Sequence, residues 1–190
     1  MTHDLQKPCS VFERNRCIAS GPLVEIAPAY KAAVERGSGQ VFLFDDSTGK
    51  AFDIDVRGSV DHTLEVLRHN NPGADDPRGP GRPKLGVVAR EVTLLPGQWD
   101  WLSAQPGGAS VTLRKIVDQA RRSPAAQARA ARDAAYAFMS AMAGDLENFE
   151  EASRALFAGD SAKLERLIAK WPKDVRSHIL EMLERPRGRG

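Results

Sequence analysis

Gly81-Arg82-Pro83-Lys84-Leu85-Gly86-Val87-Val88-Ala89-Arg90-Glu91-Val92-Thr93-Leu94-Leu95-Pro96 is the stretch on which the reading of this chain turns. A basic Gly/Pro lead runs into a β-branched segment, and Pro96 stops it because proline donates no ladder hydrogen bond. Gly97-Gln98-Trp99-Asp100-Trp101-Leu102-Ser103-Ala104 follows, then a Pro106-Gly107-Gly108 break, then Ser110 to Arg122. The punctuation predicts strand, helix, turn and helix over residues 84–122, with Ser110 as cap of the second helix.

Working outward, Asn70 to Pro83 interleaves prolines and glycines with Asp75, Asp76, Arg78 and Arg82. No regular element persists in such a composition, so 71–83 reads as a linker. Ahead of it, Phe12 to Ser20 reads as a first strand. Leu23, Ile26, Ala27, Tyr30, Ala33 and Val34 recur at helical spacing, with Pro28 either starting or kinking that helix. Val41 to Asp45 and Ala51 to Val56 flank Asp46-Ser47-Thr48-Gly49-Lys50 as a hairpin. Closing that loop with Asp45 opposite Ala51 puts Phe42, Phe44, Phe52, Ile54 and Val56 on a core face. Val41, Leu43, Asp45, Ala51, Asp53 and Asp55 fall on the other. Ser59 then caps a short helix, and residues 1–70 read as a small α+β domain of sheet plus helix.

Beyond the central module, residues 123–184 read as helical. Pro124 opens an alanine-rich helix to about Met142. Ala143-Gly144-Asp145 and Ala158-Gly159-Asp160 each pair a glycine C-cap with an aspartate N-cap. Helices over about 146–157, 161–170 and 172–184 form a small bundle through Phe149, Ala152, Leu156, Leu164, Leu167, Ile168, Trp171, Val175, Ile179 and Leu183. Residues 185–190 form a basic tail.

The fold class expected is therefore α+β: an N-terminal sheet-plus-helix layer, a central strand-helix-helix and a C-terminal helical bundle. At 190 residues and 42% hydrophobic content the chain can bury a core. No apolar run approaches the ~20 residues that span a bilayer, and the N-terminus lacks a signal-peptide core, so a cytoplasmic location without membrane contact is expected. Cys9 and Cys17 fit no zinc spacing, and the four histidines are scattered. No metal or other cofactor is expected.

Net charge is only +2, but it is uneven: from Pro77 to Arg132 ten Lys/Arg stand against Glu91, Asp100 and Asp118, a local +7 that leaves −5 elsewhere. A basic middle points to a polyanion partner, against the alternative of a solvated helix. The strand, Pro-started helix, Gly-Ser turn and second helix over 84–122 resemble a ribbon-helix-helix DNA-binding domain. That resemblance implies a homodimer on duplex DNA, with the second helix N-terminus holding a phosphate. The candidate contacts are Arg82, Lys84, Arg90, Thr93, Ser110, Arg114, Lys115, Arg121 and Arg122. Thr93 is the one natural base reader, since Val88, Val92 and Leu94 share a side with Arg90. Pro80-Gly81-Arg82-Pro83-Lys84 resembles an AT-hook core without its usual second arginine.

Catalysis has little support. Asp45, Asp53 and Asp55 share a hairpin face with Asp46 nearby, but carboxylates there are more often solvated than metal-bound. Asp61-His62 and His178 bring no nucleophile motif with them, so no enzymatic role is expected. The alternative to a DNA-binding regulator is an adaptor, with residues 12–70 or 143–184 as a protein-partner surface, or an RNA contact. Finally, Phe44-Asp45-Asp46-Ser47-Thr48-Gly49, the Gly81–Pro96 run, Trp99-Asp100-Trp101-Leu102, Gly107-Gly108-Ala109-Ser110 and Trp171-Pro172 together resemble a bacterial domain-of-unknown-function family, number 2239. That resemblance implies a bacterial protein and carries no activity with it.

Overall fold

The computed structural model describes residues 5–37, 39–69 and 88–184. The chain forms two compact units. One comprises residues 1–74 with 128–190, the other residues 75–127. The class is α+β, as expected, with a four-stranded antiparallel sheet ordered β2-β1-β3-β4.

In the larger unit the sheet is built from β1 (Pro8–Glu13), β2 (Arg16–Pro22), β3 (Val41–Asp45) and β4 (Lys50–Phe52). The single strand expected over 12–20 is in fact a hairpin. Glu13 pairs with Arg16 around Arg14-Asn15, and Arg14 adopts φ 53° while its N–H donates to the Gln40 carbonyl at 2.7 Å. The turn has no glycine or proline, and its positive φ falls on Arg14 rather than on Asn15, so its mark in the sequence is weak. Helix α1 (Leu23–Glu35) begins five residues before Pro28 and runs through it. Proline forfeits one helical bond there. The helix is anchored from outside instead: the N–H groups of Leu23 and Val24 donate to the carbonyls of Lys7 and Leu5.

The β3–β4 hairpin closes one residue earlier than expected, with Asp45 opposite Lys50 and Leu43 opposite Phe52. Gly49, at φ 68°, allows the tight closure, and its N–H donates to the Asp45 carbonyl at 2.7 Å. A one-residue slip moves every side chain to the opposite face. Phe52, Ile54 and Val56 consequently join Leu43, away from Phe44. Neither face is left to solvent. Cys9, Val11 and Leu43 pack on α1 and α2 (Val60–His69), while Phe12 and Phe44 pack on the C-terminal helices.

Those helices are α5 (Pro124–Ala143), α6 (Phe149–Ala158), α7 (Ser161–Leu167) and α8 (Lys173–Glu184), all four numbered after the two helices of the smaller unit, α3 (Pro96–Ser103) and α4 (Gly108–Arg121). The Gly159-Asp160 junction forms as its residues predict: Gly159 is left-handed at φ 72°, and Asp160 accepts from the Lys163 N–H at 2.9 Å. Gly144-Asp145 does not follow suit. The N-cap of α6 is Asn148, at φ 67°, and the connection is pinned where the Trp171 indole donates to the Glu147 carbonyl at 2.9 Å. The apolar positions expected in the bundle all pack into it. They share their core with Phe12 and Phe44, so strands β1 and β3 and the residues from Ala134 to Met182 fill one hydrophobic interior.

In the smaller unit, described by itself, α3 (Pro96–Ser103) and α4 (Gly108–Arg121) form a helical hairpin. Residues 88–95 lead into it without a strand, in place of the strand expected over 84–95, and residues 71–87 lie outside the described residues, as does the 185–190 tail. Among the described residues no other segment pairs with 88–95, and a strand needs a partner to form its ladder.

Two outcomes follow from this packing. A Cβ on Gly49 would lie 1.8 Å from the Ala134 carbonyl oxygen of α5. Gly49→Ala is therefore expected to destabilise by roughly 2–5 kcal/mol in chemical denaturation, combining overpacking with left-handed strain. Tyr30 donates from its hydroxyl to Asp53 at 3.0 Å; burial first, then that bond and the Asp53 charge, push its phenol up to about 12. A folded-state value above the unfolded one gives stability that is present below pH ~10 and lost as pH rises toward 12. Absorbance titration near 295 nm should show Tyr30 ionising late in wild type, with the alkaline unfolding edge moving in Tyr30→Phe.

Candidate nucleic-acid interface

Local sequence explains the helical hairpin. Pro96 occupies the first position of α3, where its missing N–H costs nothing, and Gln98 reaches back so that its Oε1 accepts from the Leu95 N–H at 2.9 Å. Ala104 closes α3. Gly107, left-handed at φ 91°, then caps α4. Ser110 is not the cap: it sits within the first turn, where its Oγ accepts from Arg114 Nη1 at 3.5 Å. The double glycine took the capping place because it supplies the positive φ that serine resists.

Along α4, helical spacing segregates two kinds of side chain. Leu113, Ile116, Val117 and Ala120 follow one face, while Arg114, Lys115 and Arg121, with the C-cap residue Arg122, fall on the other. All four cations are exposed. The single anion on their side, Asp118, meets Arg121 at 3.8 Å, an exposed pair that contributes little. Arg90 and Thr93 are exposed in the extended segment, on which no ribbon is built. Arg82 and Lys84 lie outside the described residues. The structure therefore brings the four α4 cations together and leaves Arg90 and Thr93 on a separate segment.

The same unit is poor in core. Only Leu102 and Thr112 are buried among its described residues before α5. Val88, Val92 and Leu95 of the lead segment, Trp99 and Trp101 of α3, and Ile116 and Val117 of α4 are all exposed.

A second polar constellation lies in the larger unit, and sequence reading passed over it. Ser10, Asp46 and His178 are buried. Ser10 donates from Oγ to Asp46 Oδ2 at 3.1 Å, and lies 3.2 Å from Ser20 Oγ. His178 Nε2 stands 3.3 Å from Asp46 Oδ1, off the line of a straight hydrogen bond. The Phe12 and Phe138 rings close over the imidazole at 5.3 and 4.6 Å between centroids. No signal could have joined these residues, because their neighbours in sequence differ and only the packing of α8 on the sheet unites them. Although Ser, Asp and His all appear, the carboxylate stands between serine and imidazole, so the imidazole cannot take the serine proton as a hydrolase base does. The Asp46 side chain is 1% exposed, which closes it to substrate.

Cys17 sits beside this cluster, its N–H donating to Asp174 Oδ2 at 3.0 Å. Burial pushes its thiol up from the ordinary value, and the carboxylates of Asp174, Asp46 and Glu181 add to the shift. The hairpin carboxylates are likewise occupied separately: Asp45 by Lys7 at 3.4 Å, Asp53 by Tyr30, and Asp55 by Arg57, which holds that carboxyl well below the usual range. Among the described residues, no three His, Cys, Asp or Glu side chains converge as a metal site requires, and no helix is long and apolar enough to cross a membrane.

Residues 8–183 match the family described as uncharacterized protein conserved in bacteria (DUF2239), and the chain belongs to that family. No curated protein and no solved structure matches it.

A thiol held protonated is a slow nucleophile. Cys17 in the folded protein should therefore alkylate with iodoacetamide at pH 8 at least about tenfold more slowly than in denaturant. Asp174→Asn should narrow that gap, as followed by intact mass.

Proposed function

We propose, for this member of an uncharacterised bacterial family, that residues 88–122 contact duplex DNA through the basic side of α4. The observation that carries the reading is the set of four exposed cations, Arg114, Lys115, Arg121 and the C-cap Arg122, on one side of a single helix and its end. They sit within a segment of local charge +7 in a chain of net +2. Such a row matches a phosphate backbone, whose condensed counterions are released when cations replace them.

Phosphate contacts position a protein but read no sequence. On this reading α4 supplies affinity, while Thr93 and Arg90 in the extended segment are the groups suited to base edges. Arg82 and Lys84 would extend the contact as an arm along a neighbouring, A·T-rich groove. The protein is then a regulator without catalytic work of its own. A second reading, an adaptor that binds another protein, draws on one observation: Trp101 is 54% and Val117 60% exposed in the same unit. Aromatic and aliphatic side chains in a basic surround suit a protein interface as well.

Fluorescence anisotropy of mixed-sequence duplexes across salt separates the two. Binding is expected at micromolar protein in low salt, with a log–log salt slope of about −3 to −4 for four phosphate contacts. Arg114→Ala/Lys115→Ala should weaken binding to every sequence alike and make the slope shallower by about one to two units. Absence of binding at low salt, or a slope unchanged in the double variant, would overturn the DNA reading in favour of the adaptor.

A further inference from the structure

We infer that the cleft between α5 and the α6–α7 junction binds a small free carboxylic acid whose chain is a compact hydrocarbon of about five or six carbons. The site lies wholly within the larger unit, so it neither uses nor depends on the DNA contact proposed above.

The cleft has a cause in the sequence. Ala128 and Ala131 of α5 and Ala155 of α6 line it with nothing larger than a methyl, and Gly159, the left-handed cap of α6, adds no side chain at all. Protein interiors are ordinarily filled to the density of organic crystals. Here the small residues leave a cavity of about 140 Å³, bounded further by Leu156 and Leu164. Ala131, Ala155, Leu156 and Leu164 are buried and make its floor, while Ala128, Gly159 and Ser161 are exposed and mark its mouth. An apolar cavity of roughly this size takes a guest of about six carbon atoms.

Arg132 supplies the charge. A Cβ on Gly159 would lie 3.9 Å from Arg132 Nη1, which puts the guanidinium at the mouth. Arg132 is half-buried and makes no ion pair among the described residues. Asp160, next to Gly159, is directed elsewhere: it accepts from the Lys163 N–H and caps α7. A planar guanidinium meets a carboxylate through two parallel hydrogen bonds. The Ser161 hydroxyl stands at the same mouth as a further donor.

The lining also says what the rest of the ligand is. Apart from Ser161 it carries only alanine, leucine and glycine, so a sugar, a base or a polar chain would lose its hydrogen bonds to water and gain none. The same reasoning selects a free acid over the C-terminal residue of a peptide, whose amide would enter the cleft without a partner.

Nuclear magnetic resonance of the full chain, with isotope-labelled leucine methyl groups and sodium isocaproate as the probe, tests the inference. The Leu156 and Leu164 methyls should shift with a dissociation constant of about 1 mM or tighter, the affinity that burying five or so carbons gives. Isocaproamide has the same shape without the charge and should bind at least about tenfold more weakly. Arg132→Gln should weaken isocaproate by about tenfold or more and leave the amide unchanged, a contrast that a merely structural role for Arg132 would not produce. Ala128→Leu fills the mouth and should abolish binding of both probes. Its position is exposed, so thermal unfolding should be unchanged; were it not, Arg132→Gln still decides the matter. Leucine methyls that stay unmoved at about 20 mM isocaproate would overturn the inference, as would equal binding of acid and amide or an Arg132→Gln chain that binds as wild type does. N-acetyl-leucine binding where isocaproate does not would overturn the free acid as the ligand.

Discussion

The three-ring contact of Phe12, Phe44 and Phe138 is the constraint on which the larger unit depends. Phe44 lies 4.8 Å from Phe138 and Phe12 lies 5.1 Å from it, measured between centroids. All three are fully buried. Phe12 and Phe44 come from neighbouring strands, while Phe138 arrives from a helix some ninety residues further along. Edge-to-face aromatic packing gains about 0.5–1.5 kcal/mol per pair beyond burial alone. Its larger effect is topological. It makes the second face of the sheet an interior, so a four-stranded layer that a hairpin reading leaves half solvated is covered on both sides.

That coverage has a cost in polar groups. Ser10, Asp46 and His178 lie inside the apolar shell because strand alternation puts Ser10 on the same face as Phe12, and the β3–β4 turn places Asp46 at its edge. A buried carboxylate is tolerated only with partners. Ser10 and the imidazole of α8 serve that need, and in doing so they tie the last helix to the sheet. The constellation looks like catalytic equipment by composition. Its order, with the carboxylate in the middle and 1% exposed, makes it an anchor instead. Cys17 follows the same logic, its thiol held protonated by burial and by surrounding carboxylates.

The smaller unit obeys the opposite balance. Where residues 12 and 44 find rings to cover them, Val88, Leu95, Trp101 and Val117 remain exposed, and cations line the other side of α4. One region thus holds its apolar surface inside, and the other displays it beside charge. Exposed apolar surface and exposed cations in one small unit are the kind of surface that interaction sites use.

Local chemistry determined a good deal of this. Pro96, Gly159 and Asp160 set helix ends within a residue or so, because caps act over one turn. The 3.6-residue periodicity placed Leu156, Ile168, Val175 and Ile179 in the core, and the basic run over 77–132 was plain from charge alone. The family was legible in Trp99-Asp100-Trp101-Leu102 and its companion motifs. Tertiary structure decided what depends on distant residues or on one dihedral. The Arg14 turn split an expected strand in two. The left-handed Gly49 shifted the hairpin register by one residue and so exchanged its faces. Asn148, rather than Asp145, capped α6 because the Trp171 indole holds the preceding connection. The Asp46–His178 pairing spans more than 130 positions, and no periodicity reaches that far. A sequence records the preferences of neighbours, whereas a face becomes an interior only when another element arrives to cover it.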